Sequence, residues 1–240
     1  MSALLKDPES IHPALWRASQ LARSYGRTVD TGYADLSDQL PSGGWPVGSL
    51  IEILLSQSGS GEMRLLRPAL IAVSKRPIAL IQPPQAPNAQ AFAYQGIPVN
   101  RLLLLRPSKS ADALWSAEQI LKAGSCGALL LWQPHIRAES LRRLLLAAQS
   151  AETLFFLFRP IASAQDASPA TLRLTVRPAT NGVSIEVIKR KGPIRSGTLT
   201  IAVQPSPILL SPHPRRRTVV DVPFSMAMPE KGVVHATPSE

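Results

Sequence analysis

Residues 43–63 read GGWPVGSLIEILLSQSGSGEM, and this stretch decides the fold. Paired glycine turns lead into a continuously apolar run, a loop of small residues follows, and a helical pattern begins at Glu62. A phosphate-binding loop works in this order of strand, loop and helix, because backbone N–H groups and the helix N-terminus face the anion. The residues assigned to a degenerate loop of this kind are Ser58, Gly59, Ser60, Gly61, Glu62 and Met63.

The loop lacks the two side chains that nucleotide hydrolysis requires. A working loop places a Lys at the terminal phosphates and a Ser or Thr on the magnesium, whereas Glu62 and Met63 follow Gly61 here. The carboxylate of Glu62 would repel a phosphate; alternatively, Glu62 simply stabilises the first turn of its own helix. Both interpretations predict that ATP is not hydrolysed at this loop. No cofactor is expected, and nucleotide binding without hydrolysis stays open.

Short apolar runs alternate with helical stretches between residues 30 and 160. The predicted strands are Leu50–Leu54, Ile78–Ile81, Arg101–Leu105, Ala128–Trp132 and Thr153–Phe158. The predicted helices are Glu62–Ser74, Ala89–Gln95, Ala111–Ala123 and Ala138–Ser150. Continuously apolar strands that alternate with helices predict an α/β fold whose mainly parallel sheet is covered on both faces.

The pattern changes after Pro160, where apolar and polar residues alternate between turn signals. This alternation predicts an antiparallel extension of the sheet over Thr171–Arg177, Gly182–Lys189 and Thr198–Val203. An amphipathic helix is predicted at residues 10–25 and a flexible, Pro-rich basic tail beyond Val203. The expected organisation is an N-terminal helix and linker (1–29), a core (30–203) and a tail (204–240).

The chain is basic, with 26 Lys and Arg against 16 Asp and Glu and a net charge of +10. Residues 167–220 hold nine basic residues, among them Arg173 and Arg177, and a single acid, Glu186. A localised surplus of this kind favours electrostatic DNA binding, and a solvated turn and tail without a ligand is the alternative. The candidate DNA-binding residues are Lys189, Arg190, Lys191, Arg195, Arg215, Arg216 and Arg217.

Other kinds of site have little support in the sequence. The single cysteine, Cys126, excludes an internal disulfide, and the four histidines show no metal-ligand spacing, so no metal is expected. No apolar stretch reaches the ~18 residues of a membrane span, and no signal core precedes Ser10. A cytoplasmic protein is expected, and association with the nucleoid stays open.

Scattered motifs carry a resemblance to a known family. They include Thr31-Gly32, the lead-in Gly43–Gly48 and the run Ile51-Glu52-Ile53. With these motifs the chain resembles the ImuA proteins, a RecA-related family of bacterial mutagenesis cassettes. Over residues 50–165 it is also similar to the cell-division inhibitor SulA, chiefly at Gly59–Glu62 and Leu65–Leu70. The resemblance implies a RecA-like core.

The resemblance also implies three catalytic positions, and this chain departs from the family pattern at each. The Lys and Thr of the loop fall at Glu62 and Met63. The catalytic acid falls within Gln82–Gln85, which has no carboxylate, and the metal-supporting Asp falls at Trp132. Three departures together imply a pseudo-ATPase rather than an enzyme.

The family implies a function and a set of partners. The leading expectation is a non-enzymatic accessory protein in SOS, or damage-induced, mutagenesis by translesion DNA synthesis. Its implied partners are DNA, an ImuB-like Y-family protein, an error-prone polymerase subunit and RecA. The alternative is a SulA-like cell-division inhibitor that binds a tubulin-type division protein. The lead-in at residues 31–49 and the basic segment 167–203 favour the first, because a division inhibitor needs neither.

Overall fold

The computed structural model describes residues 26–192 and 197–203. The predicted helix at residues 10–25 and the predicted tail at 204–240 lie outside the described residues. Four of the candidate DNA-binding residues, Arg195 and Arg215–Arg217, also lie outside them.

Eight strands of the described residues form one mixed sheet. These strands are β3 (Ser49–Leu55), β4 (Ile78–Ile81), β5 (Leu102–Leu105), β6 (Ala128–Trp132), β7 (Leu154–Pro160), β8 (Leu172–Ala179), β9 (Gly182–Lys189) and β10 (Thr198–Ala202). Their order across the sheet is β10-β9-β8-β3-β7-β6-β4-β5. Strands β8, β3, β7, β6, β4 and β5 are mutually parallel, whereas β9 runs antiparallel to both β8 and β10. A separate antiparallel pair joins β1 (Thr28–Val29) to β2 (Trp45–Pro46).

Five helices of the described residues accompany the sheet. They are α1 (Ala34–Gln39), α2 (Glu62–Val73), α3 (Ala89–Tyr94), α4 (Ser110–Ala123) and α5 (Ala138–Gln149). Helices α1 and α2 pack their buried leucines on one face of the sheet, and α4 and α5 pack on the other. Because both faces of the central strands are covered, β4, β6 and most of β3 and β7 are continuous apolar runs rather than alternating patterns.

The predicted α/β fold, with its mainly parallel sheet and antiparallel extension, is confirmed. Each predicted strand and helix that falls in the described residues has a counterpart whose ends differ by two residues or fewer. The short helix α1 has no predicted counterpart, because six residues with one buried side chain, Leu36, give too little periodicity to detect.

The position of β8 in the sheet was not predictable from the sequence and follows only from the tertiary structure. Strand β8 lies parallel to β3 on the edge opposite β7, with Leu174 beside Ile53. The antiparallel extension therefore continues from the strand that precedes the small-residue loop. This placement brings β9 against the loop, where Val183 approaches Gly61.

Candidate functional site

A cleft opens at the carboxyl edge of the sheet, where the loops after β3, β4, β6 and β7 meet. Its volume is about 400 Å³. The cleft is lined by Leu55, Ser56, Gln57, Ser58, Gln82, Pro84, Trp132, Gln133, Pro134, Phe158, Arg159 and Pro160. Ligands of open α/β sheets bind at this edge, outside the carboxyl ends of the strands. The structure thus brings together the three regions where the family's catalytic residues were expected.

Inside the small-residue loop, the carboxylate of Glu62 binds a backbone N–H of the loop. Glu62 begins helix α2, is 3% exposed, and its Oε1 accepts a hydrogen bond of 2.8 Å from the backbone N–H of Gly59. Ser60 closes the loop further, because its hydroxyl donates to the Gln57 carbonyl at 2.6 Å. The Gly59 N–H, one of the backbone donors of the loop, is therefore satisfied by the chain itself.

Gly61 is the point at which the small-residue loop comes close to the antiparallel extension. It lies in the left-handed region with φ of 102°, and a Cβ at this position would stand 2.9 Å from Cγ1 of Val183. Gly59 is also left-handed, with φ of 85°, yet a Cβ there would meet open space. Met63, the other altered loop residue, packs partly buried against the core. Glu62 and Met63 thus support the fold of the loop and α2.

Aromatic and amide side chains line the remainder of the cleft, together with the buried Arg159. Trp132 stacks on Phe158 with ring centroids 4.5 Å apart and an interplanar angle of 14°. Gln82, whose φ is 51°, donates from Nε2 to the Pro107 carbonyl at 3.0 Å. Gln133 donates from Nε2 to the carbonyl of His135. No Asp or Glu lines this cleft, so its lining residues offer no carboxylate to a magnesium ion.

A buried ion cluster that the sequence did not predict lies beside the cleft. Glu52 of β3 is fully buried, and its Oε2 accepts 2.7 Å from Nε of Arg173. Its Oε1 accepts from the Ser168 hydroxyl at 2.7 Å and lies 3.6 Å from Nη1 of Arg159. Arg159 also pairs with Asp166 at 2.9 Å. The available signal was a glutamate inside a continuously apolar strand, which requires a buried partner.

This cluster corrects the charge map drawn from the sequence. Arg173 was counted in the basic surplus that could face a polyanion, but it is 6% exposed. Its guanidinium binds Glu52 and also donates to the carbonyls of Ser163, Ala164 and Asp166. Its charge is neutralised inside the protein, because an arginine buried between β8 and β3 must be paired.

The described candidate DNA-binding residues lie at the end of β9 and directly after it. Lys189 is exposed, and its Nζ donates to the Ser168 carbonyl at 2.7 Å. Arg190 is half-buried, and its Nη1 donates to the carbonyl of Gln39, which joins this turn to the end of α1. Lys191 is exposed. Lys189 and Arg190 thus hold the turn in place while they add positive charge at the surface.

Two further expectations concern the described residues. Residues 26–192 and 197–203 contain no group of three or more His, Cys, Asp or Glu that could hold a metal. In the same parts of the chain, no helix has the length and apolar character that crossing a membrane would require. Cys126 is buried, and burial raises the pKa of its thiol.

Comparisons with known proteins agree with one part of the predicted resemblance. No protein-family model matches the sequence. The chain is 30% identical over 74 residues to the cell division inhibitor SulA of Edwardsiella piscicida, a match that covers 31% of this chain and 44% of that protein. It is 27% identical over 116 residues to the SulA of Yersinia pestis (strain Pestoides F), covering 48% of this chain and 69% of that protein. The same values hold for Yersinia pseudotuberculosis serotype O:1b.

The chain therefore spans less than half the length of the Edwardsiella protein and about two thirds of the Yersinia proteins. The predicted similarity to ImuA stays a prediction. These matches show a distant, partial relationship between this chain and the SulA cell division inhibitors.

Proposed function

We propose that this chain is a non-enzymatic protein that acts by binding other macromolecules through a RecA-like core without ATP turnover. The observation that carries the proposal is the Glu62 carboxylate hydrogen-bonded inside its own loop. A mainly parallel sheet, a small-residue loop between β3 and α2, and an antiparallel extension beyond β8 support the RecA-like assignment.

Electrostatics oppose a triphosphate at this loop. Two negative charges at ~4 Å in partly screened surroundings repel by a few kcal/mol, which offsets what a phosphate gains at a helix N-terminus. The loop also lacks the lysine that would compensate, and no carboxylate of the cleft could hold magnesium. An ATPase assay with single-stranded DNA tests this part of the proposal, with turnover at background level expected. Turnover comparable to that of a recombinase contradicts it.

Among binding functions, inhibition of cell division has the best support, because the matched relatives are cell division inhibitors. The target that the resemblance implies is a tubulin-type division protein. Inducible expression of the full chain in a rod-shaped bacterium should produce filamentous cells. The purified chain should also lower GTP hydrolysis by the division protein, whereas an unrelated protein of similar positive charge should not. Normal division together with unchanged GTP hydrolysis would rule out this function.

Damage-induced mutagenesis is the second candidate, with DNA, an ImuB-like protein, an error-prone polymerase subunit and RecA as its proposed partners. It is favoured by the part of this chain that the SulA matches leave unexplained, since the Yersinia match covers 48% of the chain. The exposed cations Lys189 and Lys191 on the antiparallel extension offer a contact for phosphates.

A gel-shift series at increasing salt tests the DNA contact. The shift should weaken steadily with salt, because phosphate contacts release counterions. Lys191→Glu should lower the affinity several-fold. The matched control, Lys75→Glu, makes the same charge change at an exposed site between α2 and β4 and should have a smaller effect. Equal losses from both variants would assign the shift to net charge rather than to this surface.

A further inference from the structure

Strand β5 is the outer strand of the eight-stranded sheet and consists of four leucines. Its central residues are unusually exposed for leucine, Leu103 at 45% and Leu104 at 50%. These two side chains lie on opposite faces of the sheet, because Leu103 is beside Ala79 and Leu104 is beside Leu80 in the β4 register. Both faces of this edge therefore present apolar surface to solvent.

The backbone of β5 offers hydrogen bonds at the same place. The carbonyl of Leu105 accepts from the N–H of Gln82 at 2.9 Å, so the polar groups of Leu105 and Leu103 point toward β4. Those of Leu102 and Leu104 point the opposite way, because successive residues of a strand alternate. The Leu102 N–H already donates to the Val99 carbonyl. Leu104 thus places both its N–H and its C=O on the outer edge.

Edge strands of stable proteins are ordinarily protected against pairing with other chains. The usual devices are a very short strand, a charged residue or proline within it, a β-bulge, or a covering element. Strand β5 is short, at four residues, but it contains no charge and no proline, and its register with β4 is regular. Among the described strands none pairs with its outer edge. An extended segment could therefore add to the sheet here by main-chain hydrogen bonds.

Charge decides which occupant fits. Arg101 and Arg106 flank the four leucines; both are exposed, and neither side chain forms a hydrogen bond or ion pair with the described residues. Two copies that used the outward backbone groups would pair antiparallel with Leu104 opposite Leu104. Arg106 of each copy would then lie opposite Leu102 of the other and next to its Arg101, so like charges would gather at both ends of the pair. The chain's own segment Val219–Phe224 carries one acid, Asp221, but directly follows the three cations Arg215–Arg217, so its net charge is positive and it is not complementary either.

We propose that β5 is a docking edge for an extended segment of a partner protein, with apolar residues flanked by acidic ones. The segment would hydrogen-bond to Leu104 and cover the exposed leucines, and its acidic ends would pair with Arg101 and Arg106. The proposal goes beyond the functions given above and depends on neither, because it concerns a surface outside the cleft and outside the basic turn after β9.

The probe is a fluorescein-labelled peptide, Glu-Asp-Val-Thr-Val-Thr-Val-Asp-Glu, titrated against the full chain and followed by fluorescence anisotropy. Saturable binding that weakens at high salt is expected, because the flanking pairs are exposed. A peptide with lysine at the four acidic positions should bind about tenfold more weakly or not at all. Absence of binding by the acidic peptide, or equal binding of both peptides, overturns the proposal.

Two substitutions locate the binding. Leu104→Pro removes the outward N–H without touching the β4 ladder and should weaken peptide binding about tenfold or more, whereas Leu104→Val should not. Arg101→Gln with Arg106→Gln leaves the backbone intact and should remove the salt dependence, so the test holds even if Leu104→Pro fails to fold. Unchanged binding in the double variant overturns the proposal. Sedimentation that shows a dimer abolished by Leu104→Pro also overturns it, because the occupant would then be a second copy.

Discussion

At the scale of single residues, Glu62 supports the loop through one hydrogen bond. Glu62→Ala leaves the Gly59 N–H without its 2.8 Å acceptor and should lower the free energy of unfolding by about 1–3 kcal/mol. The matched control is Glu139→Ala, which removes an exposed first-turn glutamate from α5 and should cost only a few tenths of a kcal/mol. Urea denaturation measures both, and equal losses would mean that the carboxylate acts only on the helix dipole.

Glu52 has a larger role in stability, because it compensates two buried arginines. Glu52→Gln leaves Arg173 and Arg159 without their shared anion and should lower the free energy of unfolding by about 3–5 kcal/mol. The pair Glu186 and Arg177 is half-exposed at 3.7 Å, so Glu186→Gln should change stability by about 0–1 kcal/mol. Chemical denaturation of the two variants compares the pairs. A small effect of Glu52→Gln would show that the site admits water.

At the scale of elements, Glu118 joins the two helices on one face of the sheet. Its carboxylate binds Lys122 on its own helix at 2.8 Å and Arg143 on α5. Hydrogen bonds from Lys122 and then from Arg143 lower the pKa of Glu118. A group whose pKa falls on folding adds stability above its unfolded pKa, about 4.3 for Glu, and that stability is lost as pH falls through the folded value.

The expected result is a pH-dependent effect of Glu118→Gln. The variant should have a lower Tm than the parent chain at pH 7, and the difference should shrink as pH falls below about 4.3. Thermal denaturation across this range checks the prediction. Glu139→Gln on α5 is the control, because its side chain is exposed and forms no ion pair in the described residues. A difference in Tm that grows toward acid pH would contradict the sign.

At the scale of the whole molecule, the antiparallel extension braces the loop after β3. Gly61→Ala combines a strained φ of 102° with a Cβ 2.9 Å from Val183, whereas Gly59→Ala meets only strain. Gly59→Ala should lower the free energy of unfolding by about 1–2 kcal/mol, and Gly61→Ala should lower it further. Adding Val183→Ala should recover part of the second loss, which a double-mutant cycle measures. Equal losses of unfolding free energy in the two variants would show that Val183 on β9 moves aside for the added Cβ without an energetic penalty.

The local pattern of apolar and polar residues was sufficient to predict most helices and strands of the described core. Continuous apolar runs and helical periodicity located the strands and helices of the described core, because burial on both faces leaves a strong signal in the residues themselves. The order of strand, loop and helix around Gly61 was also recognisable, whereas the assignment of a degenerate phosphate-binding loop to Ser58–Met63 stays a prediction. The Glu52 cluster was not predicted, because its partners lie more than 100 residues away along the chain.

The sequence by itself determined the α/β class, the antiparallel extension and the absence of the loop lysine. Only the tertiary structure decided that Arg173 is an internal counter-ion rather than a surface cation, and that β5 is the outer strand. The physical reason is that strand order and burial depend on pairings between distant segments. The same side chain, arginine or leucine, is a core residue or a contact surface according to what the fold places beside it.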